Sequence, residues 1–393
     1  MDPAQRIAGE ILESADIIVN GDRAWDLHVR DERFFGRVLA GGSLALGESY
    51  MDGWWDCDAL DELVRRILSN DLQQKVKPSL KVILLWLRAS LVNRQSRSRA
   101  YNIGERHYDL GNDLYRLMLD KGMNYSCGYW ERAKTLDDAQ VDKLELICRK
   151  IGLAEGMRVL DIGCGWGGFA QHAAQRYGAS VVGITVSREQ AQLAQERCKG
   201  LPVEIRLQDY RDLDERFDRI VSIGMIEHVG VKNYRRYMQT AAHCLHPEGI
   251  FLLHTIGTNL SGRVGDPWSD KYIFPDGMLP SMRQLSGSVE GLFKIEDVHS
   301  FGHYYDPTLM AWNRNFVAGW DRIKERYGER FFRMWQFYLL SSAGSFRARH
   351  NQLWQLVLSP LKSTQVYESR WSRQQEEVQP GDRTPGPFSL CRC

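Results

Sequence analysis

The chain is short of several things, and each shortage removes a class of function. Its run of consecutive apolar residues Val82-Ile-Leu-Leu-Trp-Leu87 stops after six, bracketed by Lys81 and Arg88, far below the ~20 that cross a bilayer as a helix. Net charge is almost absent: 51 Lys and Arg stand against 50 Asp and Glu, leaving +1, so the whole-molecule field selects no partner. Eight cysteines (57, 127, 148, 164, 198, 244, 391 and 393) are scattered without paired metal-ligand spacing. The N-terminus carries Asp2 and Glu10 in place of a basic, apolar leader. These features predict reduced thiols, no metal and a cytoplasmic setting. There is no basic motif interleaved with aromatics, which argues against a nucleic-acid partner.

What is present is concentrated in one place. Residues Val159 to Gly168 read Val-Leu-Asp-Ile-Gly-Cys-Gly-Trp-Gly-Gly, a buried strand ending in an acid and running into a glycine turn. Gly163, Gly165 and Gly167 permit positive φ and a close approach of backbone to ligand. The triplet Gly163, Gly165, Gly168 also fits the dinucleotide pattern G-x-G-x-x-G, so glycines alone do not decide. Asp161 separates the two readings. A carboxylate there can face the ammonium of a methionine moiety, whereas it would repel a pyrophosphate. The motif therefore predicts S-adenosylmethionine (SAM) as cofactor, against the plainer alternative that Asp161 only caps a turn.

Composition divides the chain further. Residues 1 to about 72 form a first module, with a helix over Arg6–Leu12, a strand at Asp26–Val29 and a turn-rich Gly47–Trp55. The segment from Lys75 to Arg106 holds eight cations and one acid, Glu105, a net of +7. A solvated helix face would also give such a run, but cations flanking a short apolar stretch suit an anionic lipid surface, each contributing on the order of 1 kcal/mol. Beyond it, strands at 157–162, 180–185, 203–207, 217–223 and 249–255 alternate with helices at 168–177, 188–198 and 233–244. Such alternation predicts a parallel sheet with helices on both faces. Ligands bind such sheets at the carboxyl ends of the strands, where Asp161, Thr185, Asp209, Glu227 and His254 fall; these are expected to share one cleft. Residues 258 to 359 read as an aromatic-rich, helical insertion able to roof an apolar pocket, and the polar residues from Leu361 onward as a tail without fixed structure.

Six motifs in order then carry a resemblance over nearly the whole chain. They are Glu105-Arg-His-Tyr-Asp-Leu-Gly-Asn-Asp113, Asn124-Tyr-Ser-Cys-Gly-Tyr-Trp130, the Leu160–Gly168 turn, Gly224-Met-Ile-Glu-His-Val-Gly230, Leu253-His-Thr-Ile-Gly257 and Tyr304-Tyr-Asp306. The chain resembles the bacterial cyclopropane-fatty-acyl-phospholipid synthases, and Gly47–Trp55 matches the longer, phospholipid-acting members. The resemblance implies an α/β fold: the Rossmann-like sheet of SAM-dependent methyltransferases with an added N-terminal module and an aromatic-rich lipid-pocket insertion. It implies residues 1–95 as a lipid-associated module with its basic linker and 96–360 as the catalytic domain, and leaves 361–393, the tail that composition reads as disordered, without a counterpart.

The implied reaction is methylene transfer from SAM to the cis double bond of an unsaturated phospholipid acyl chain, with bicarbonate as base. The implied bicarbonate contacts are Cys127, Glu227, His254, the backbone of Ile256, and Tyr305 in preference to its neighbour Tyr304. SAM contacts carry over to Tyr125, Ser126, Asp161, Gly163, Gly165, Thr185, Gln190, Gln208 and Asp209. A homodimer attached peripherally to the inner membrane surface is implied as well. Each ligand has a plainer rival: Cys127 as a buried thiol, Glu227 as a helix cap, His254 as a core histidine. Two other classes also share features, a methyltransferase for soluble amines and a SAM-binding membrane protein without catalysis. Two departures are plain, the first being the tail after about 360, which has no counterpart in the family. Where some members have cysteine in a Cys-Ala-Gly-Ala-Phe-Arg-Ala-Arg segment, this chain has Ser342-Ala-Gly-Ser-Phe-Arg-Ala-Arg349, so no thiol chemistry resides there.

Overall fold

A computed structural model describes residues 2–72, 111–262 and 265–369; the basic segment 75–106 and most of the tail lie outside them. Its centre is a seven-stranded sheet built from β3 (Arg158–Ile162), β4 (Ser180–Thr185), β5 (Val203–Leu207), β6 (Phe217–Ile223), β7 (Leu245–Thr258), β8 (Phe293–Ser300) and β9 (Asn351–Pro360), in the order β5-β4-β3-β6-β7-β9-β8. The first five in that order run parallel. Strands β3 and β4 are nearly continuous apolar runs because helices cover both faces. Successive crossovers proceed outward from β3 to β5, then restart on the other side with β6, so the switch in strand order lies between β3 and β6. A crevice opens there by construction.

The purely parallel sheet expected from sequence is corrected at one edge. Strands β9 and β8 are antiparallel and fall inside the stretch read as helical insertion. The residues of β8 alternate between buried and exposed, as befits an edge strand with one covered face. His254 is likewise not at a strand end: its pairing with β6 ends at Ile223, but β7 continues along β9 as far as Thr258.

Around the sheet lie α4 (Asn112–Met118), α5 (Leu136–Lys150), α6 (Gly168–Tyr177), α7 (Arg188–Arg197), α8 (Tyr234–Cys244), α9 (Pro267–Tyr272), α10 (Met282–Val289), α11 (Tyr305–Gly319) and α12 (Glu329–Arg347), following α1 (Pro3–Glu13), α2 (Arg33–Met51) and α3 (Leu60–Ser69) of the N-terminal module. The two short strands there, β1 (His28–Val29) and β2 (Trp55–Asp56), pair with each other. Asp26 precedes that strand and is fully buried, taking hydrogen bonds from the Ile18 and Arg23 backbone. Gly47–Met51, expected as turn, is the last part of α2. The reason is packing: a Cβ at Gly47 would lie 2.3 Å from Trp268, so this glycine lets α2 touch α9.

The N-terminal module shares its core with the later helices. Trp55, Tyr50, Trp268 and Phe337 pack ring against ring. At the other end, Arg347 of α12 binds Asp61 of α3 at 2.7 Å and Asp306 of α11 at 2.9 Å.

Candidate functional site

The glycine turn after β3 has the backbone its sequence requires. Gly163, Gly165 and Gly167 have φ of 86°, 54° and 80°, values that side-chain-bearing residues rarely adopt. Gly167 is the N-cap of α6. A Cβ at Gly165 would meet nothing within 4 Å and so would occupy the space a ligand needs.

Above this turn lies a cavity at the switch point, lined by Tyr125, Ser126, Asp161, Gly163, Gly165, Thr185, Gln190, Gln208 and Asp209 among others. All nine cofactor residues proposed from sequence are thus brought together. Thr185 ends β4 and its hydroxyl donates to Gln190 Oε1 at 2.9 Å, while the Ser187 hydroxyl accepts from the Gln190 N–H at the start of α7. Asp209 ends the turn after β5 and accepts from the Arg211 N–H at 2.9 Å. Asp161 is 1% exposed and its Oδ2 has no hydrogen-bond partner among the described residues. Burial pushes its carboxyl up to about 7 against the pull of the nearby Lys143. A desolvated, unpaired carboxylate beside a bare glycine turn is what a cationic, amino-acid-like ligand would complete. The residues present therefore fit SAM.

The second set, Cys127, Glu227, His254, Ile256 and Tyr305, does not line that cavity; of the five residues expected to share one cleft, Asp161, Thr185 and Asp209 line it and Glu227 and His254 do not. Glu227 and His228 sit on a short 3-10 turn after β6, where His228 reaches the cofactor cavity and Glu227 turns toward β7. Glu227 Oε1 accepts from the Ile256 N–H at 2.7 Å, so this backbone donor is engaged by the protein itself. Glu227 Oε2 and His254 Nε2 are buried without hydrogen-bond partners among the described residues. Burial moves Glu227 up to about 7 and holds His254 well below the ordinary histidine range. Cys127 is fully buried, which pushes its thiol up, and it donates to the Gly128 carbonyl at 3.2 Å; it is a neutral donor, not a nucleophile. Tyr305 opens α11 and stacks on Phe346 with ring centroids 4.4 Å apart.

What joins the two sites was missed from sequence. Lys143 of α5 is fully buried and donates to Ser126 Oγ at 2.9 Å, and Gln140 one turn earlier donates to the Ser126 carbonyl at 2.8 Å. The field of Lys143 acts on Asp161, Cys127 and His254 alike, and burial lowers its own value to about 8. From the far side, Thr308 of α11 accepts from the Gly128 N–H at 3.1 Å and from Trp130 Nε1 at 2.8 Å. The Tyr-Ser-Cys loop is thereby clamped between α5 and α11. The available signal was spacing: Lys143 and Lys150 occupy positions on α5 shared by Ala139, Ile147 and Ile151, an apolar stripe where lysine is out of place.

A sheet with this switch point, a glycine turn after β3 and an unpaired acid over it define a SAM-dependent methyltransferase. Comparisons with known proteins narrow the class. A family model described as mycolic acid cyclopropane synthetase matches residues 95–356. The cyclopropane-fatty-acyl-phospholipid synthase of Escherichia coli K12 is 54% identical over 354 residues, 90% of this chain and 93% of that protein. Among solved structures, the cyclopropane synthase MmaA2 of Mycobacterium tuberculosis aligns with a TM-score of 0.62 at 31% identity, over 66% of this chain and 97% of its own. The mycolic acid cyclopropane synthase CmaA1, solved with SAH and CTAB, aligns with the same TM-score at 33% identity over the same shares. The chain belongs to the cyclopropane synthase family.

Proposed function

We propose that this protein converts the cis double bond of an unsaturated phospholipid acyl chain into a cyclopropane ring, using SAM as methylene donor and a bound bicarbonate as base. Two observations support the reading: the 54% identity to a cyclopropane-fatty-acyl-phospholipid synthase over nine-tenths of the chain, and two buried atoms, Glu227 Oε2 and His254 Nε2, without partners among the described residues. The second carries the mechanism, because buried polar atoms without partners await a ligand that bonds to them.

An alkene is a weak nucleophile, so the cofactor's residues must hold the donor rigidly. When bound, SAM supplies an electrophilic methyl group on sulfonium. Asp161 would hold its ammonium, with Tyr125, Ser126, Gly163, Gly165, Thr185, Gln190, Gln208 and Asp209 around the remainder. Methyl arrival leaves positive charge on an alkyl carbon, which water would trap. The aromatic wall next to the cavity excludes it: Tyr125 lies 5.2 Å from Trp312 and its hydroxyl is 2.8 Å from that of Tyr338 on α12. Aromatic faces attract such a cation, more strongly where it is desolvated. Ring closure then requires loss of one proton from the transferred methyl. When bound, bicarbonate supplies a base for that proton. Glu227 and His254 would hold it through their free atoms, with Cys127 and Tyr305 as further walls, while Glu227 also ties down the Ile256 backbone.

The lipid is reached from a surface. Among the described residues, no helix is long and apolar enough to cross a membrane, and we ascribe peripheral attachment to residues 1–95 and the net +7 segment, with the chain acting as a homodimer. The test of the base is a variant. Glu227→Gln is expected to keep SAM affinity within about twofold and to cut turnover by roughly 10² or more, the scale of general base catalysis. Bicarbonate depletion should slow the unaltered protein, and re-addition should restore it more than the variant. Full activity of Glu227→Gln would refute the assignment.

A further inference from the structure

Beside the anion site, a row of buried polar side chains runs across the antiparallel edge of the sheet. His254 on β7 is directly opposite Gln355 on β9, and Gln355 is directly opposite His299 on β8. Opposed residues in antiparallel strands project from the same face, so the three form one line. Gln355 Nε2 is 3.2 Å from His254 Nδ1, and Gln355 is fully buried. At the far end, Lys150 Nζ is 3.1 Å from His299 Nδ1 and 3.6 Å from Asp297 Oδ2.

An amide N–H directed at Nδ1 needs a lone pair there. That assigns the single proton of a neutral imidazole to the other nitrogen, Nε2. Nε2 is the atom of His254 with no partner among the described residues. In this orientation Gln355 Oε1 has no hydrogen-bond partner among the described residues, and buried acceptors go short of partners more readily than donors. A second proton on the ring would abolish the acceptor at Nδ1. It would also meet two ammonium groups: Lys143 and Lys150 lie seven residues apart on α5, and both oppose a charge on His254.

We propose that Gln355 is a positioning residue that fixes His254 as a neutral imidazole protonated on Nε2, so that His254 donates a hydrogen bond to the bound anion and does not itself take the substrate's proton. This rests on the anion site proposed above. The division of labour follows from valence: a ring nitrogen that already carries the proton cannot accept another, so the proton leaving the substrate does not go to His254 Nε2, and the bound anion proposed above is left to take it.

The experiment is nitrogen NMR of full-length protein labelled with ¹⁵N-histidine, with His254→Asn to assign the signal, alongside turnover and SAM affinity. His254 should be neutral and Nε2-protonated between about pH 5 and 8, and its Nε2 resonance should shift on adding bicarbonate. Gln355→Glu, which can only accept from Nδ1, should move the proton to Nδ1 or charge the ring, and should cut turnover by about 10–100-fold, the usual scale for losing an orienting partner, with SAM affinity within about twofold. Gln355→Met places no charge in the interior; it should give mixed tautomers and a smaller turnover loss, again with SAM affinity retained. A wild-type His254 protonated on Nδ1, or titrating in that range, would overturn the proposal. So would a Gln355→Met variant that keeps both tautomer and turnover. A correct tautomer whose resonance ignores bicarbonate would overturn the anion reading while leaving the role of Gln355 in setting the ring.

Discussion

Asp161→Asn tests the cofactor site with a change of one atom. The native carboxyl is buried, one oxygen lacks a partner, and burial places its titration near 7. A bound ammonium favours the charged form, so binding must expel any proton the carboxyl holds. The sign follows: affinity for SAM is greatest above 7 and falls as pH drops through it, because the protonated fraction rises. Between pH 7.5 and 5.5 the charged fraction falls from about three-quarters to about one-thirtieth, and the dissociation constant should rise roughly 20- to 30-fold. In Asp161→Asn the charge-assisted bond is lost at every pH, a cost of about 1.5–3 kcal/mol, equivalent to a roughly 10- to 150-fold weaker complex at pH 7.5. Its affinity should then be nearly flat across the same interval. Titration calorimetry of both proteins at the two pH values measures all four numbers. Unchanged affinity in the variant, or a flat profile in the native protein, would reduce Asp161 to a turn cap.

Other outcomes follow from the same contacts. Thr308→Val keeps shape but strands the Gly128 N–H and the Trp130 indole, at about 1–3 kcal/mol for each buried donor; thermal melts should show a fall of roughly 5–10 °C, and an unchanged melt would mean the clamp on the Tyr-Ser-Cys loop is dispensable. Ser342→Ala should leave turnover within about twofold, since no group at that position enters the chemistry; an inactive variant would move the reaction toward α12. Neutralising Arg94, Arg97 and Arg99 together should weaken co-sedimentation with anionic vesicles, and salt should mimic the variant as the Debye length shrinks from ~10 Å at 0.1 M to ~3 Å at 1 M. Binding indifferent to both changes would point to apolar insertion.

The parallel core was legible because two local signals agreed there: unbroken apolar strands and a helix period between them. The glycine turn was legible because positive φ leaves few residue choices, and Asp161 because an acid next to such a turn has few structural uses. The edge strands were not. In β8, Phe-Lys-Ile-Glu-Asp-Val-His-Ser, the alternation is broken by a register shift between Ile295 and Asp297, and its partner, β9, lies some fifty residues onward, so only tertiary pairing reveals it. A separation of 101 residues concealed Gln355, which acquires meaning from register against His254. Lys143 and Thr308 were hidden differently. Thr308 binds the Tyr-Ser-Cys loop from a helix 180 residues onward, whereas Lys143 is only 17 residues from Ser126 and its role emerges only with its burial. Ile256 illustrates the reverse: a backbone donor carried over by resemblance is held, in the folded chain, by Glu227 Oε1.

The central claim is that the transferred carbon becomes part of a ring. Purified protein incubated with methyl-labelled SAM and vesicles of unsaturated phospholipid should yield acyl chains heavier by one CH₂, carrying the label and resistant to chemistry that cleaves double bonds. Labelled chains that are methylated yet still unsaturated, or lipid left without label, would contradict it.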